Sequence, residues 1–119
     1  MTSRYPLSDI QELARSGSIL FANRRAERNA IELDWTIQTI TSFICALKDR
    51  HHKGVRLNLS IFDGRDSIDA DKYKARFNEE TMSVTADHRH CAYFVELALK
   101  TLHNGAAVLV VSIHLDTQA

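Results

Sequence analysis

YFVELALKTLHNGAAVLVVSIHL, residues 93–115, is the stretch that decides the fold. Two apolar runs, Tyr93–Leu102 and Ala106–Leu115, flank Asn104-Gly105, and Asn-Gly is the favoured two-residue hairpin turn. Val108 to Val111 is continuously apolar, as in a strand covered on both faces. With Asn104-Gly105 as the turn, His103 pairs with Ala106, Val95 with His114 and Tyr93 with Asp116. Residues directly across a pair share a face, so Tyr93 and His114 are expected as diagonal neighbours on one face.

Upstream of the hairpin, Thr81 to Thr85 suits a short strand and Asp71 to Phe77 a short helix. Asp63 to Asp71 is acid-rich and reads as an exposed loop. Val55, Leu57, Leu59 and Ile61 alternate with Arg56, Asn58 and Ser60, the period of a strand with one wet face. The first third of the chain is helical in pattern. Ser8 and Gln11 have capping-box spacing ahead of an apolar stripe of Ile10, Leu13 and Ala14, and Gly17 stops that helix. Asn23 caps a second helix from Arg24 to about Ile31, with Ala26 and Ala30 as its buried positions. Asp34 is the expected cap of a third, Trp35 to Leu47. There Ile37, Ile40, Ile44 and Leu47 recur at three and four residues with Phe43 alongside. Ile40, Phe43, Ile44 and Leu47 are expected to face Leu57, Leu59, Val108 and Val110. The order gives an α+β fold in which three N-terminal helices pack on one face of an antiparallel sheet of three or more strands.

Composition bounds the rest. At 119 residues the chain buries about two-thirds of its unfolded surface, enough for one core and too little for two, so 1–119 is a single domain. Apolar residues are 45% and charged residues 25%, which argues against global disorder. Fifteen basic residues balance fifteen acidic ones, which excludes a strongly basic nucleic-acid binder but leaves a local basic face open. No apolar run approaches the roughly 18 residues of a membrane span, and Met1 to Leu7 lacks the pattern of a signal peptide. Cys45 and Cys91 read as cytosolic thiols. A cytoplasmic protein without a membrane partner is expected.

Three constellations carry possible chemistry. The turn from Lys48 to Arg56 holds Arg50, His51, His52, Lys53 and Gly54. It suits a phosphate, and it equally suits a solvated helix C-terminus, where cations favour the macrodipole. Asp87-His88-Arg89-His90-Cys91 offers imidazole and thiolate, but no Cys-x-x-Cys or His-x-x-x-His completes a zinc centre. No metal and no cofactor are expected. Tyr93 and His114 are the polar groups of interest on strands, and imidazole is the side chain that titrates nearest neutral pH.

Several segments together resemble the MqsR family, toxins of type II toxin–antitoxin modules. They are Ser8 to Gly17 after a Tyr-Pro-Leu lead, the Arg-rich second helix, Ile31-Glu32-Leu33-Asp34 and the amphipathic third helix. The strands Tyr93–Leu97 and Val108–His114 are similar to that family's Tyr-containing strand and its closing strand. The likeness covers about residues 5–62 and 82–115 and rests on order and spacing. It implies a RelE-like fold and a metal-independent mRNA endonuclease silenced by a cognate antitoxin. By matching positions it implies Lys53, Tyr93 and His114 as catalytic residues. His114 stands where the family usually has Lys, and Ala70 where it has a catalytic Gln.

Such an enzyme removes the proton of the 2′-hydroxyl, stabilises a pentacoordinate phosphorane and protonates the leaving 5′-oxygen. Lys53, Tyr93 and His114 are expected to converge on one concave patch, with Arg50, His52 and Arg56 at its rim as RNA-binding residues. The alternative is a catalytically silent protein-binding inhibitor or regulator on the same scaffold. The acidic segment Asp63–Asp71 would suit a basic partner of such a module.

Overall fold

The computed structural model describes residues 3–116. The reading of the Met1–Leu7 lead therefore falls partly outside the described residues. The helices are α1 (Leu7–Arg15), α2 (Arg24–Glu32) and α3 (Ile37–Ala46), and a single 3-10 turn spans Asp49–His51. The strands are β1 (Ile19–Phe21), β2 (His52–Ile61), β3 (Asp66–Asn78), β4 (Ser83–Thr85), β5 (Ala92–Leu102) and β6 (Gly105–Leu115). They form one mixed sheet in the order β1-β6-β5-β3-β2, with β4 beside the end of β3. β1 runs parallel to β6, and the other pairs are antiparallel. The fold is α+β. None of the described helices is long and apolar enough to cross a membrane.

The sheet's packed face carries Tyr73, Phe77, Tyr93, Val95, Leu97, Val108 and Val110, all buried. α3 meets it with Ile40, Phe43 and Ile44, and Leu47 follows at its C-cap, each at most 1% exposed. Trp35 precedes α3 and lies against Phe43, Phe77 and Tyr93, with ring centroids 5.3, 5.5 and 4.5 Å away. Helix ends differ from the expected caps. Asp34 takes a left-handed φ of 62° and Thr36 caps α3 instead, accepting the Thr39 N–H at 3.2 Å. α1 begins after Pro6 without a side-chain cap. Gln11 closes no capping box. Its amide donates to the carbonyls of Ile44 (3.1 Å) and Leu47 (2.9 Å) and so ties α1 to the C-terminal end of α3. Asn23 caps α2 as expected, accepting the Ala26 N–H.

Two segments upstream of the hairpin are corrected. The supposed loop and short helix over 63–77 are mostly β3, because Asp71, Tyr73, Ala75 and Phe77 alternate with Lys72, Lys74 and Arg76 and bury one face. Pairing with both β2 and β5 outweighs the helix propensity of those charged residues. Leu57 does not meet α3. It is 66% exposed, because the β2–β3 register shifts between Arg56 and Leu59, where Asn58 sits at φ 55° and donates its N–H to Asp69 Oδ1 at 3.0 Å. The hairpin bends there. Its tip folds back until the Phe62 N–H reaches the Ala22 carbonyl at 2.7 Å, although β2 and β1 lie at opposite edges of the sheet.

This bend closes one half of the second face. Ala70, Ala98 and Leu109 alternate with the packed-face residues and are nevertheless fully buried. The other half stays open. α1 packs on α3, β5 and β6, whereas α2 walls this second face through Arg25, Ala26 and Asn29. The three helices therefore do not share one face.

Candidate active site

Hairpin geometry places the site. Leu102 pairs with Gly105, so the turn residues are His103 and Asn104, and Gly105 enters β6 at φ 116°. Further out, Leu97 faces Val110 while Glu96 faces Ser112, so Val111 is one extra residue in β6, a bulge. The capping Asn23 holds this bulge, its Nδ2 donating to the Val111 carbonyl at 3.1 Å. Beyond the bulge Tyr93 pairs with Leu115 and Phe94 with His114. Tyr93 and His114 thus lie on opposite faces, correcting the expected shared face; the bulge turns every later β6 side chain over.

On the open half, Glu96, Ser112, His114 and Arg56 line a cleft of about 520 Å³ whose far wall is Arg25 and Asn29 of α2. Glu96 is only 5% exposed. Its Oε1 accepts the Ser112 hydroxyl at 2.7 Å. Its Oε2 lies 3.2 Å from Arg56 Nη1, a charge contact without hydrogen-bond alignment. A buried carboxylate with one oxygen uncommitted is costly unless a charge or ligand faces it. His114 is exposed and diagonal to Glu96 across the strand pair. Its ring lies 5.2 Å from that of Phe94. Lys72 Nζ and Lys74 Nζ stand 4.4 and 5.3 Å from the Phe94 ring centre, cation–π distances. The open face is therefore an aromatic flanked by cations, leading into a cleft with a carboxylate, a guanidinium and an imidazole.

The residues implied by the resemblance are dispersed. Tyr93 is 5% exposed in the core, and its hydroxyl donates to Glu79 Oε2 at 2.8 Å, beside the Trp35 indole N–H on Oε1 at 2.9 Å. Burial, then the hydrogen bond to Glu79 and its charge, push its phenol well above the ordinary range. His52 is no rim residue. Its Nε2 lies 2.8 Å from Oδ1 of the fully buried Asp71, whose oxygens also accept the backbone N–H groups of Arg4 and Tyr5 at 2.8 Å each. His52 and Asp71 thus anchor the N-terminal lead. Lys53 is exposed where β2 slips register, and with Arg50 it lines a different groove from His114. Of the expected set, Arg56 and His114 meet in the Glu96 cleft, and Arg50 and Lys53 meet in the other groove.

Glu96, Ser112, Lys72 and Lys74 are the site residues that pattern reading missed. The signal was a lone carboxylate inside the apolar run Phe94-Val95-Glu96-Leu97-Ala98. Such a residue in a covered strand needs a partner. Compared with protein-family models, curated proteins and solved structures, the chain shows no significant match.

Proposed function

We propose that this protein is a metal-independent endoribonuclease of the toxin kind, a divergent relative of the MqsR toxins with a RelE-like scaffold, acting on mRNA and neutralised by a cognate antitoxin. The observation that carries the chemistry is Glu96, buried between Ser112 and Arg56 in a cleft that His114 also lines. The Glu96 carboxylate takes the proton of a 2′-hydroxyl. The freed oxygen attacks the adjacent phosphorus, and Arg56 neutralises the phosphorane. The protonated His114 imidazole gives its proton to the departing 5′-oxygen. The products are a 2′,3′-cyclic phosphate and a 5′-hydroxyl end.

The protein-binding alternative leans on the acidic segment 63–71. Its carboxylates are largely engaged within the chain: Asp63 by Arg24 at 3.9 Å, Asp66 by Lys100 at 2.9 Å, Asp69 by Arg4 at 3.7 Å and Asp71 by His52. Asp71 is withdrawn into the fold, whereas Asp63 and Asp66 stay about half-exposed, 51% and 46%, and remain open to a basic partner.

The test is to incubate purified protein with RNA in chelator and to map the new ends. Fragments with 5′-hydroxyl and cyclic-phosphate termini, lost in Glu96→Gln, are expected. RNA left intact by the native protein, together with unaffected growth and transcripts when the chain is expressed in bacteria, overturns the proposal.

A further inference from the structure

Beyond the cleft, the open face holds a second depression. Arg50, His51 and Lys53 of the turn and Lys74 and Arg76 of β3 line a groove of about 450 Å³. Arg50, Lys53 and Arg76 form no ion pair among the described residues. Lys74 is held by Asp116 at 2.6 Å, and one Arg76 nitrogen donates to the His90 carbonyl at 2.7 Å, so Arg50 and Lys53 are the cations most open to a ligand. Burial first, and then the charges of Arg50, Lys53 and Lys48, hold the His51 imidazole below its ordinary range.

We propose that this groove is a phosphodiester-binding site separate from the cleft, and that it takes the backbone of the same RNA strand beyond the bond being cut. The inference rests on the ribonuclease reading of the cleft. The path between the two is on the open face. His114 on β6 faces Phe94 on β5, Phe94 faces Lys74 on β3, and Lys74 lines the groove with Lys53 of β2. Three strand spacings make this about 14 Å. One strand in from His114, Lys72 and Lys74 hold their ammoniums 4.4 and 5.3 Å over the Phe94 ring, which puts two cations along this path for the strand's phosphates. The preferred substrate is then a single strand long enough to span both depressions, and a dinucleotide reaches only the cleft.

The experiment is fluorescence anisotropy with an uncleavable 2′-O-methyl oligoribonucleotide of about twelve residues, a length within the usual range of such grooves. It is run on the native protein and on the double variant Arg50→Ala, Lys53→Ala. Each phosphate neutralised on a single strand contributes about 0.7 to the slope of log affinity against log salt, so the variant's slope should be shallower by about 1.4. In cleavage assays KM for the oligonucleotide should rise about tenfold without a matching fall in kcat, and the ratio of dinucleotide to oligonucleotide cleavage should shift toward the dinucleotide. An unchanged slope and KM overturn the groove assignment. So does a variant that loses binding of a poly-glutamate peptide while keeping its RNA affinity, which assigns the groove to an acidic protein. If the native protein cleaves neither substrate, the ribonuclease reading fails, and the salt slope still decides the groove.

Discussion

The two faces of the β5–β6 hairpin carry opposite kinds of information. On the packed face, Tyr93, Val95, Leu97, Val108 and Val110 meet Phe43, Ile40 and Ile44, and all are buried. On the open half of the other face, Phe94, Glu96, Ser112 and His114 stand among Arg56, Lys72 and Lys74. The packed face is fixed by many interchangeable apolar contacts. The open face depends on one inserted residue, Val111, and on the asparagine that grips its carbonyl. A slip in register by one residue would turn the apolar set out of the core as surely as it turns His114 over, so the position of the bulge at Val111 fixes both faces together.

The largest effect that tests this division is on stability. Phe43→Ala removes a fully buried ring that stacks edge-on with Phe77 at 5.2 Å and contacts Trp35. It should cost about 3–5 kcal/mol in urea unfolding. A loss below about 1 kcal/mol means α3 does not close the packed face as described. The open face should respond in the opposite currency. Glu96→Gln and His114→Ala should each lower kcat by about 10²–10⁴, the usual worth of a positioned acid or base. His114→Ala should leave the unfolding midpoint nearly unchanged, within about 0.5 kcal/mol, because the side chain is exposed. Full cleavage by both variants takes the chemistry out of this cleft.

Tyr93→Phe sharpens the comparison, since it deletes one oxygen on the packed face directly behind the open one. The loss is the hydrogen bond to Glu79, worth about 1–2 kcal/mol of stability for a charged acceptor at a partly exposed site. Cleavage by the folded variant should match the native protein. A Tyr93→Phe variant that melts normally but no longer cleaves RNA would move the active site to the packed side and break the division outright.

The helices, the hairpin strands and most of the packed core were legible because they depend on period, while of the expected caps only Asn23 stands. Ile40, Phe43, Ile44 and Leu47 repeat at helical spacing, and Asn23 sits where a cap belongs. The alternation Asp71, Tyr73, Ala75, Phe77 was equally present in the sequence. It was masked by an aspartate at a buried position, which becomes intelligible only once His52 and the amides of Arg4 and Tyr5 are seen around it. The face of His114 was not legible. Without a bulge it falls on the Tyr93 side whether the turn is Asn104-Gly105 or His103-Asn104, and nothing local marks Val111 as the extra residue. Convergence of Arg56 with Glu96 is likewise a product of the bent β2–β3 hairpin, a long-range event.

The smallest expected effect lies at the edge of the open face, in His51. Its Nδ1 accepts the Lys48 backbone N–H at 2.8 Å, and burial, followed by the charges of Arg50, Lys53 and Lys48, disfavours the imidazolium in the folded protein. A folded value below the unfolded one means the unfolded chain binds more protons between the two. Stability therefore falls as pH drops through the ordinary histidine range near 6.5, and levels off below the folded value. His51→Gln should flatten that acid-side decline, read as urea midpoints at neutral and mildly acidic pH. RNA binding should show the opposite sign. A phosphate in the groove supplies the missing negative charge and favours the imidazolium, so affinity for the 2′-O-methyl strand should rise modestly as pH falls in the native protein, and less so in His51→Gln. An identical pH dependence of binding in the two proteins places the phosphates away from this imidazole and confines the strand to the cleft and Phe94.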